Sequence, residues 1–325
     1  MSKLRLAVVG VGEFGRNHVR VIRQSPGAEL VAVVDTDRAR AEEVAAANGC
    51  MALTDARELA DKVDAAVVAV PTSAHADAGC ALLEAGADVL VEKPIAHDLP
   101  SADRLIRAAE RHGRALQVGH LERFNPAVMA LGKIARLPLF FEIHRLSVFS
   151  PRSLDVDVVL DLMIHDIDIL LSLVDREPEE VRAAGISILT PKVDIANVRL
   201  QFPGGCVANI TASRVSTDRV RKLRLFQPHQ YISVDYSRQD VMVFSVGANH
   251  QISFEQLPVN QGEPLALQLE SFLECVAARK TPKPGGPEAR RSLEVALAIL
   301  AKIEEHSRSV AQALGSGWKS STNPP

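Results

Sequence analysis

The chain has 325 residues, 47% of them hydrophobic and 24% charged, with a formal net charge of -3. That length exceeds what one ordinary core supports and predicts two domains, while the near-neutral balance excludes the basic field of a nucleic-acid binder. Cys50, Cys80, Cys206 and Cys275 are far apart and form no CxxC pair, which excludes a disulfide frame or a cysteine zinc site and predicts reduced thiols.

From its first residues, MSKLRLAVVGVG, the chain runs straight into a strand-like segment. No apolar run reaches the roughly 18 residues needed to span a bilayer, so a cytoplasmic protein with no membrane partner is expected. Up to about residue 120, short apolar runs alternate with helix-period segments: LRLAVVG, EFGRNHVRVIRQ, ELVAVVD, DRARAEEVAAANG, AAVVAVP, HADAGCALLEAG, DVLVEKP, SADRLIRAAERHG and ALQVGH. Continuous apolar strands separated by helices predict a parallel sheet covered on both faces, with Gly49, Gly86 and Gly113 at helix stops. After His120 the pattern changes. A Pro-bearing segment, ERFNPAVMALGKIA, leads to PLFFEIHRLS and then to an acidic helical stretch, DVDVVLDLMIHDIDILLSLV. IANVRLQFPGGCVANITASR, RKLRLFQ, YISVDYS, DVMVFSV and QISFEQLP then read as strands of an open, mostly antiparallel sheet. Two helical segments around TPKPGGP finish the fold, and GSGWKSSTNPP reads as a flexible tail. The expected domains are 1–121 and 122–310, with the last helix free to pack back on the first domain, and a tail over 311–325.

Gly10, Gly12 and Gly15 form GxGxxG between the first strand and the first helix. There the missing side chains let backbone amides and a helix N-terminus approach a pyrophosphate, and Glu13 and Phe14 belong to the same loop. Glycines that serve only strand–helix packing would give the same spacing. Asp35, however, ends the second strand 20 residues beyond Gly15, where a carboxylate bonds ribose hydroxyls. An Asp repels a 2'-phosphate, and Thr36 and Asp37 precede Arg38, so NAD is favoured over NADP, with Arg38 the one opening for dual use. Open α/β sheets bind ligands outside strand C-termini. Pro71, Thr72 and His75 are therefore further cofactor candidates, His75 being equally readable as a helix-start residue.

Glu92-Lys93-Pro94 ends the next strand on that same sheet edge. An amine there can hydrogen-bond a substrate oxygen, and Glu92 is its positioning or ribose-side neighbour. In LDLMIHDIDIL, Asp161 and His165 are four apart, which predicts one helical face, with Asp168 three further along it and Asp166 pointing away. A carboxylate that orients an imidazole makes a general base. A core histidine satisfied by its neighbours is the plainer reading. No second histidine stands near enough to suggest a metal site.

Taken together, GVGEFG, VVD, AVPTSAH, EAGADVLVEKP and DLMIHDIDIL, in this order, resemble the Gfo/Idh/MocA oxidoreductases over nearly the whole chain. The resemblance implies an α/β fold: an N-terminal Rossmann dinucleotide-binding domain, then a C-terminal α+β domain whose open sheet mediates homodimers or homotetramers. It makes Lys93 the catalytic lysine, Asp161 and His165 the acid/base pair, and the Lys93–Pro94 bond cis. Met163 stands where the family often has glycine, which implies an altered substrate pocket. QVGHLERFNP and RKLRLFQPHQYISVDYS resemble a branch similar to UDP-N-acetylglucosamine 3-dehydrogenases, which oxidise a nucleotide sugar ahead of transamination in lipid A synthesis. By that likeness His120, Glu122, Arg123 and Asn125 line the substrate side and Arg145 meets a diphosphate. Competing expectations are a dehydrogenase of a free sugar, inositol or dihydrodiol, and a silent NAD-binding regulator.

Overall fold

Aliphatic strands without polar interruption need cover on both faces, and the first half of the chain supplies it. The computed structural model describes residues 3–150, 156–247 and 249–314. Here β1 (Leu4–Val9), α1 (Glu13–Gln24), β2 (Ala28–Val34), α2 (Arg38–Asn48), β3 (Met51–Leu53), β4 (Ala65–Val68), α3 (His75–Glu84), β5 (Asp88–Glu92), α4 (Leu99–His112) and β6 (Leu116–Gly119) follow one another. Their strands form one parallel sheet in the order β3-β2-β1-β4-β5-β6. This is the doubly wound order whose strand C-termini bind dinucleotides. Of these six strands, only β3, three residues long, was not legible in the sequence. Gly49 and Gly113 cap α2 and α4 in the left-handed conformation, and Gly86 follows α3 at φ 87°, so the predicted stops hold.

The next elements are α5 (Pro126–Ile134), β7 (Phe140–Leu146), a π-helical turn (Val159–Met163), α6 (Ile164–Val174), β8 (Glu180–Ile186), β9 (Ile195–Gln201), β10 (Val207–Ser213), β11 (Val220–Gln227), β12 (Gln230–Asp235), β13 (Asp240–Val246) and β14 (Ile252–Gln256). They build an open eight-stranded sheet in the order β14-β13-β12-β11-β7-β10-β9-β8. All its pairs are antiparallel except β7 with β10. One face of this sheet, with Phe141, Ile143, Ile210, Leu223, Leu225 and Ile232, joins Ile164, Ile167 and Leu170 of α6 in a single core. The alternation that predicted these strands is the alternation that buries them.

The last helices, α7 (Pro264–Ala278) and α8 (Gly286–Leu314), correct the expected boundary. One compact unit comprises residues up to Phe124 together with Gly262–Leu293; the other comprises Asn125–Gln261 and residues from Glu294 onward. Sequence order assigns α7 to the second domain. Its Leu265, Leu269, Phe272, Leu273 and Val276 instead complete the core made by Val19, Ile22, Leu30 and Val33, because α1 and β2 leave that face uncovered. Residues 311–314 of the expected tail are helical. α8 continues to Leu314, and residues 315–325 lie outside the described residues.

All four cysteines are free, Cys80 and Cys206 buried, and burial pushes the Cys206 thiol up to about 11. Among the described residues no helix is long and apolar enough to cross a membrane, and no group of three or more His, Cys, Asp or Glu is arranged to hold a metal ion.

Candidate functional site

The glycine loop follows β1. Gly10 has φ +87°, and a Cβ there would stand 2.6 Å from the Ala69 carbonyl oxygen; a Cβ on Gly15 would stand 1.9 Å from the Gly10 carbonyl oxygen. These two glycines let β1, the loop and α1 touch. Gly12 differs, since a Cβ there would meet nothing within 4 Å. Gly12 is also the N-cap of α1, and no side chain caps that helix. Open backbone at an uncapped helix N-terminus fits a pyrophosphate. Glu13 and Phe14 are exposed beside it, the Phe14 ring set edge-on to His18 at 5.5 Å.

Asp35 is buried at the end of β2 and is tied to that loop: its Oδ2 accepts from the Val11 amide at 3.0 Å, and its Oδ1 from the Asp37 amide at 3.0 Å. Thr36 is exposed. The basic residue beside Asp35 is not Arg38, which is exposed and reaches only Glu42 at 3.9 Å. It is Arg40, whose Nη1 stands 3.4 Å from both Asp35 oxygens and whose Nη2 is 3.2 Å from Asp37. Asp37 caps α2, and the first helical turn swings Arg40 back over the acid while Arg38 follows the outer face.

On the same sheet edge, beyond β4, Pro71 is exposed and Thr72 half-buried. His75 is the first residue of α3, the helix-start position that was one of its two readings. It is buried, with Nδ1 2.9 Å from the Pro94 carbonyl oxygen and Nε2 2.9 Å from that of Val70. Burial holds its pKa below the ordinary value, against those two carbonyls and the Glu92 charge, which raise it. The Lys93–Pro94 bond is cis. Lys93 is half-buried, and Glu92 beside it is buried, its Oε1 2.8 Å from His18 Nε2 and its Oε2 accepting from the Lys93 amide at 3.2 Å. Past β6, His120 and Glu122 are buried and Arg123 half-buried; the His120 carbonyl accepts from the Arg123 amide in a short helical turn.

In the second unit, two expected substrate residues turn out to be occupied by protein. Asn125 caps α5, its Oδ1 accepting from Ala127 at 3.1 Å while its Nδ2 donates to the Tyr236 carbonyl at 3.0 Å. Arg145 is fully buried on the core-facing side of β7, where Nε and Nη2 donate to Asp166 at 2.6 and 2.9 Å and the guanidinium sits 5.2 Å from the Tyr236 ring centroid. A bidentate pair sealed in the core leaves that fork for Asp166, not for a diphosphate. Met163 is likewise core rather than pocket wall. Asp161 is half-buried, and His165, Asp166 and Asp168 are buried. The backbone coils as a π turn over Val159–Met163 and becomes α-helical at Ile164, whose amide bonds the Val159 carbonyl. The four-residue spacing of Asp161 and His165 is therefore not one regular α turn, since a π turn takes an extra residue, a feature frequent at functional sites.

The first unit thus gathers Gly10, Gly12, Gly15, Asp35, Thr72 and Lys93 at one sheet edge, a set suited to hold a dinucleotide and present an amine. Asp161 and His165 belong to the second unit and sit on one helical segment. Sequence reasoning missed His18, Arg40 and Gly119. A histidine on the buried stripe of α1, among Val19, Val21 and Ile22, was the available signal for the first.

Residues 4–120 match the family model described as "Oxidoreductase family, NAD-binding Rossmann fold", and residues 130–229 match the "GFO/IDH/MocA C-terminal domain". The UDP-N-acetylglucosamine 3-dehydrogenase of Acidithiobacillus ferrooxidans is 36% identical over 310 residues, 94% of this chain and 98% of that protein. A solved structure of the enzyme of that name and organism superposes with a TM-score of 0.89, covering 94% of this chain and 99% of that one at 35% identity. The scyllo-inositol 2-dehydrogenase (NAD(+)) of Bacillus subtilis is 28% identical over 321 residues, 91% of this chain and 93% of that protein.

Proposed function

Because the chain belongs to the Gfo/Idh/MocA family of NAD-binding oxidoreductases, we propose that it oxidises the C3 hydroxyl of UDP-N-acetylglucosamine. The observation that carries this substrate is the likeness to the Acidithiobacillus enzyme, which runs through both units rather than through the dinucleotide domain alone. NAD, when bound, supplies the hydride acceptor. Backbone amides over Gly12, Glu13 and Phe14 would hold its pyrophosphate end on a loop whose close packing Gly10 and Gly15 permit, and Asp35 with Thr36 would meet the ribose, while Pro71 and Thr72 border the path toward Lys93. The remaining work falls to the chain's own side chains. Lys93 hydrogen-bonds the reacting oxygen and stabilises negative charge on it, His165 takes the hydroxyl proton, and Asp161 orients the imidazole. His120, Glu122 and Arg123 flank the sugar. The product is a C3 ketone, a substrate for an aminotransferase, which is the reaction expected next if the chain serves lipid A synthesis.

The test is NADH formation with UDP-N-acetylglucosamine set beside UDP-glucose, free N-acetylglucosamine and the inositols. Turnover confined to the first is expected. Equal or better turnover with an inositol removes the nucleotide-sugar reading and keeps the dehydrogenase. Lys93→Ala and His165→Ala are each expected to lower kcat by about 10²–10⁴-fold with NAD affinity intact.

A further inference from the structure

Two histidines that take no part in this chemistry are buried on either side of the turn that carries Lys93. His18 comes from α1 and is 1% exposed. A carboxylate only accepts hydrogen bonds, so Nε2 of His18 donates to Glu92 Oε1 at 2.8 Å, and the other oxygen, Oε2, accepts from the Lys93 amide at 3.2 Å. The carboxylate rests directly on Gly119: a Cβ there would stand 2.7 Å from Oε2. His75, from α3, lies between the carbonyls of Val70 and Pro94, each at 2.9 Å. The turn is therefore held before Lys93 through Glu92 and, when the single N–H of the neutral His75 ring is on Nδ1, after it through the Pro94 carbonyl.

The origin of the two grips gives them meaning. α1 begins at the glycine loop, and α3 begins three residues past Thr72. Two of the helices that begin at this sheet edge, α1 and α3, each place one imidazole beside the lysine turn. Packing alone does not call for this. Among the described residues His18 Nδ1 has no hydrogen-bond partner, and an apolar pair at positions 18 and 92 would fill the space without burying a carboxylate or an orphaned nitrogen. The geometry points to His18 and His75 as positioning residues that hold the Glu92-Lys93-Pro94 turn and link the dinucleotide loops to the Lys93 amine. This rests on the reading of Lys93 as the group that meets the substrate hydroxyl.

The experiment compares wild type, His18→Gln, which keeps a donor for Glu92, and His18→Leu, which does not. Amide hydrogen exchange of the segment 88–98 is measured with and without NADH, alongside NADH affinity and kcat. His18→Leu is expected to speed exchange in that segment about tenfold and to lower kcat about 10- to 100-fold, with NADH affinity within about twofold of wild type. His18→Gln recovers both to within about threefold, and His75→Leu repeats the pattern of His18→Leu. Wild-type exchange and kcat in His18→Leu overturn the proposal. So does a fall in kcat matched by an equal loss of NADH affinity that Gln does not recover. Should His18→Leu fail to accumulate as folded protein, Glu92→Gln is judged by the same exchange criterion. Full turnover by Lys93→Ala removes the role of Lys93 and leaves the exchange result to judge the bracing alone; an inactive Lys93→Ala beside an indifferent His18→Leu removes only the bracing.

Discussion

At the scale of single residues, what could be read in advance was chemistry with a fixed local spacing. GxGxxG, the acid at the end of β2, and the Glu-Lys-Pro turn are each short enough that the chain itself sets their geometry. What stayed hidden was pairing across distance: Glu92 meets a histidine 74 positions away, and Arg145 an aspartate 21 positions away. Nothing local distinguishes a buried arginine from one awaiting a phosphate. His75 carries a consequence for pH. Its folded-state pKa is depressed, chiefly by burial, so the unfolded chain binds the proton more readily. The stability that this neutral ring contributes is complete above the unfolded value of about 6.5 and is lost as pH falls through the folded one. Wild type should therefore lose more stability between about pH 7.5 and 5.5 than His75→Gln does, read as urea midpoints at the two pH values.

At the scale of elements, hydrophobic period identified nearly every helix and strand, because most are amphipathic or wholly apolar. β8 escaped: its run EVRAAGI offers few large apolar side chains and is only partly buried. The π turn escaped as well, since a spacing of four residues looks the same in the sequence whether the backbone closes i→i+4 or i→i+5 bonds. α7 was visible as a helix but not in its allegiance, which depends on which core lacks a cover. Phe272 is fully buried in that cover. Phe272→Ala should cost about 3–5 kcal/mol. Protection from hydrogen exchange should fall first in α1, β2 and α7, leaving the eight-stranded sheet protected; uniform loss over both units would argue against this assignment of α7.

At the scale of the whole molecule, the open sheet has a second face. Phe140, Phe226, Tyr231, Phe244 and Phe254 form a continuous ladder of rings across β7, β11, β12, β13 and β14, with neighbouring centroids 4.9–5.6 Å apart. Phe254 and Ile252 at its edge are 62% and 76% exposed. An exposed apolar stripe of that kind suits an association surface, and it is the place to test the homodimer or homotetramer expected through this sheet. Phe226→Lys with Phe254→Lys should convert an oligomer into a monomer by light scattering; an unchanged mass would place the interface elsewhere. The division of the chain between its two units has a consequence of another kind, for synthesis. The first unit opens with the first strand and is completed only by Gly262–Leu293, so by the time Phe124 is made every strand of the parallel sheet has been synthesised, while the helix that covers one of its flanks has not. At about 5–20 residues per second, on the order of ten seconds pass before α7 emerges to cover Val19, Ile22 and Leu30. During that interval the order of translation, rather than the stability of the finished protein, decides whether those side chains wait for their own helix or find another surface.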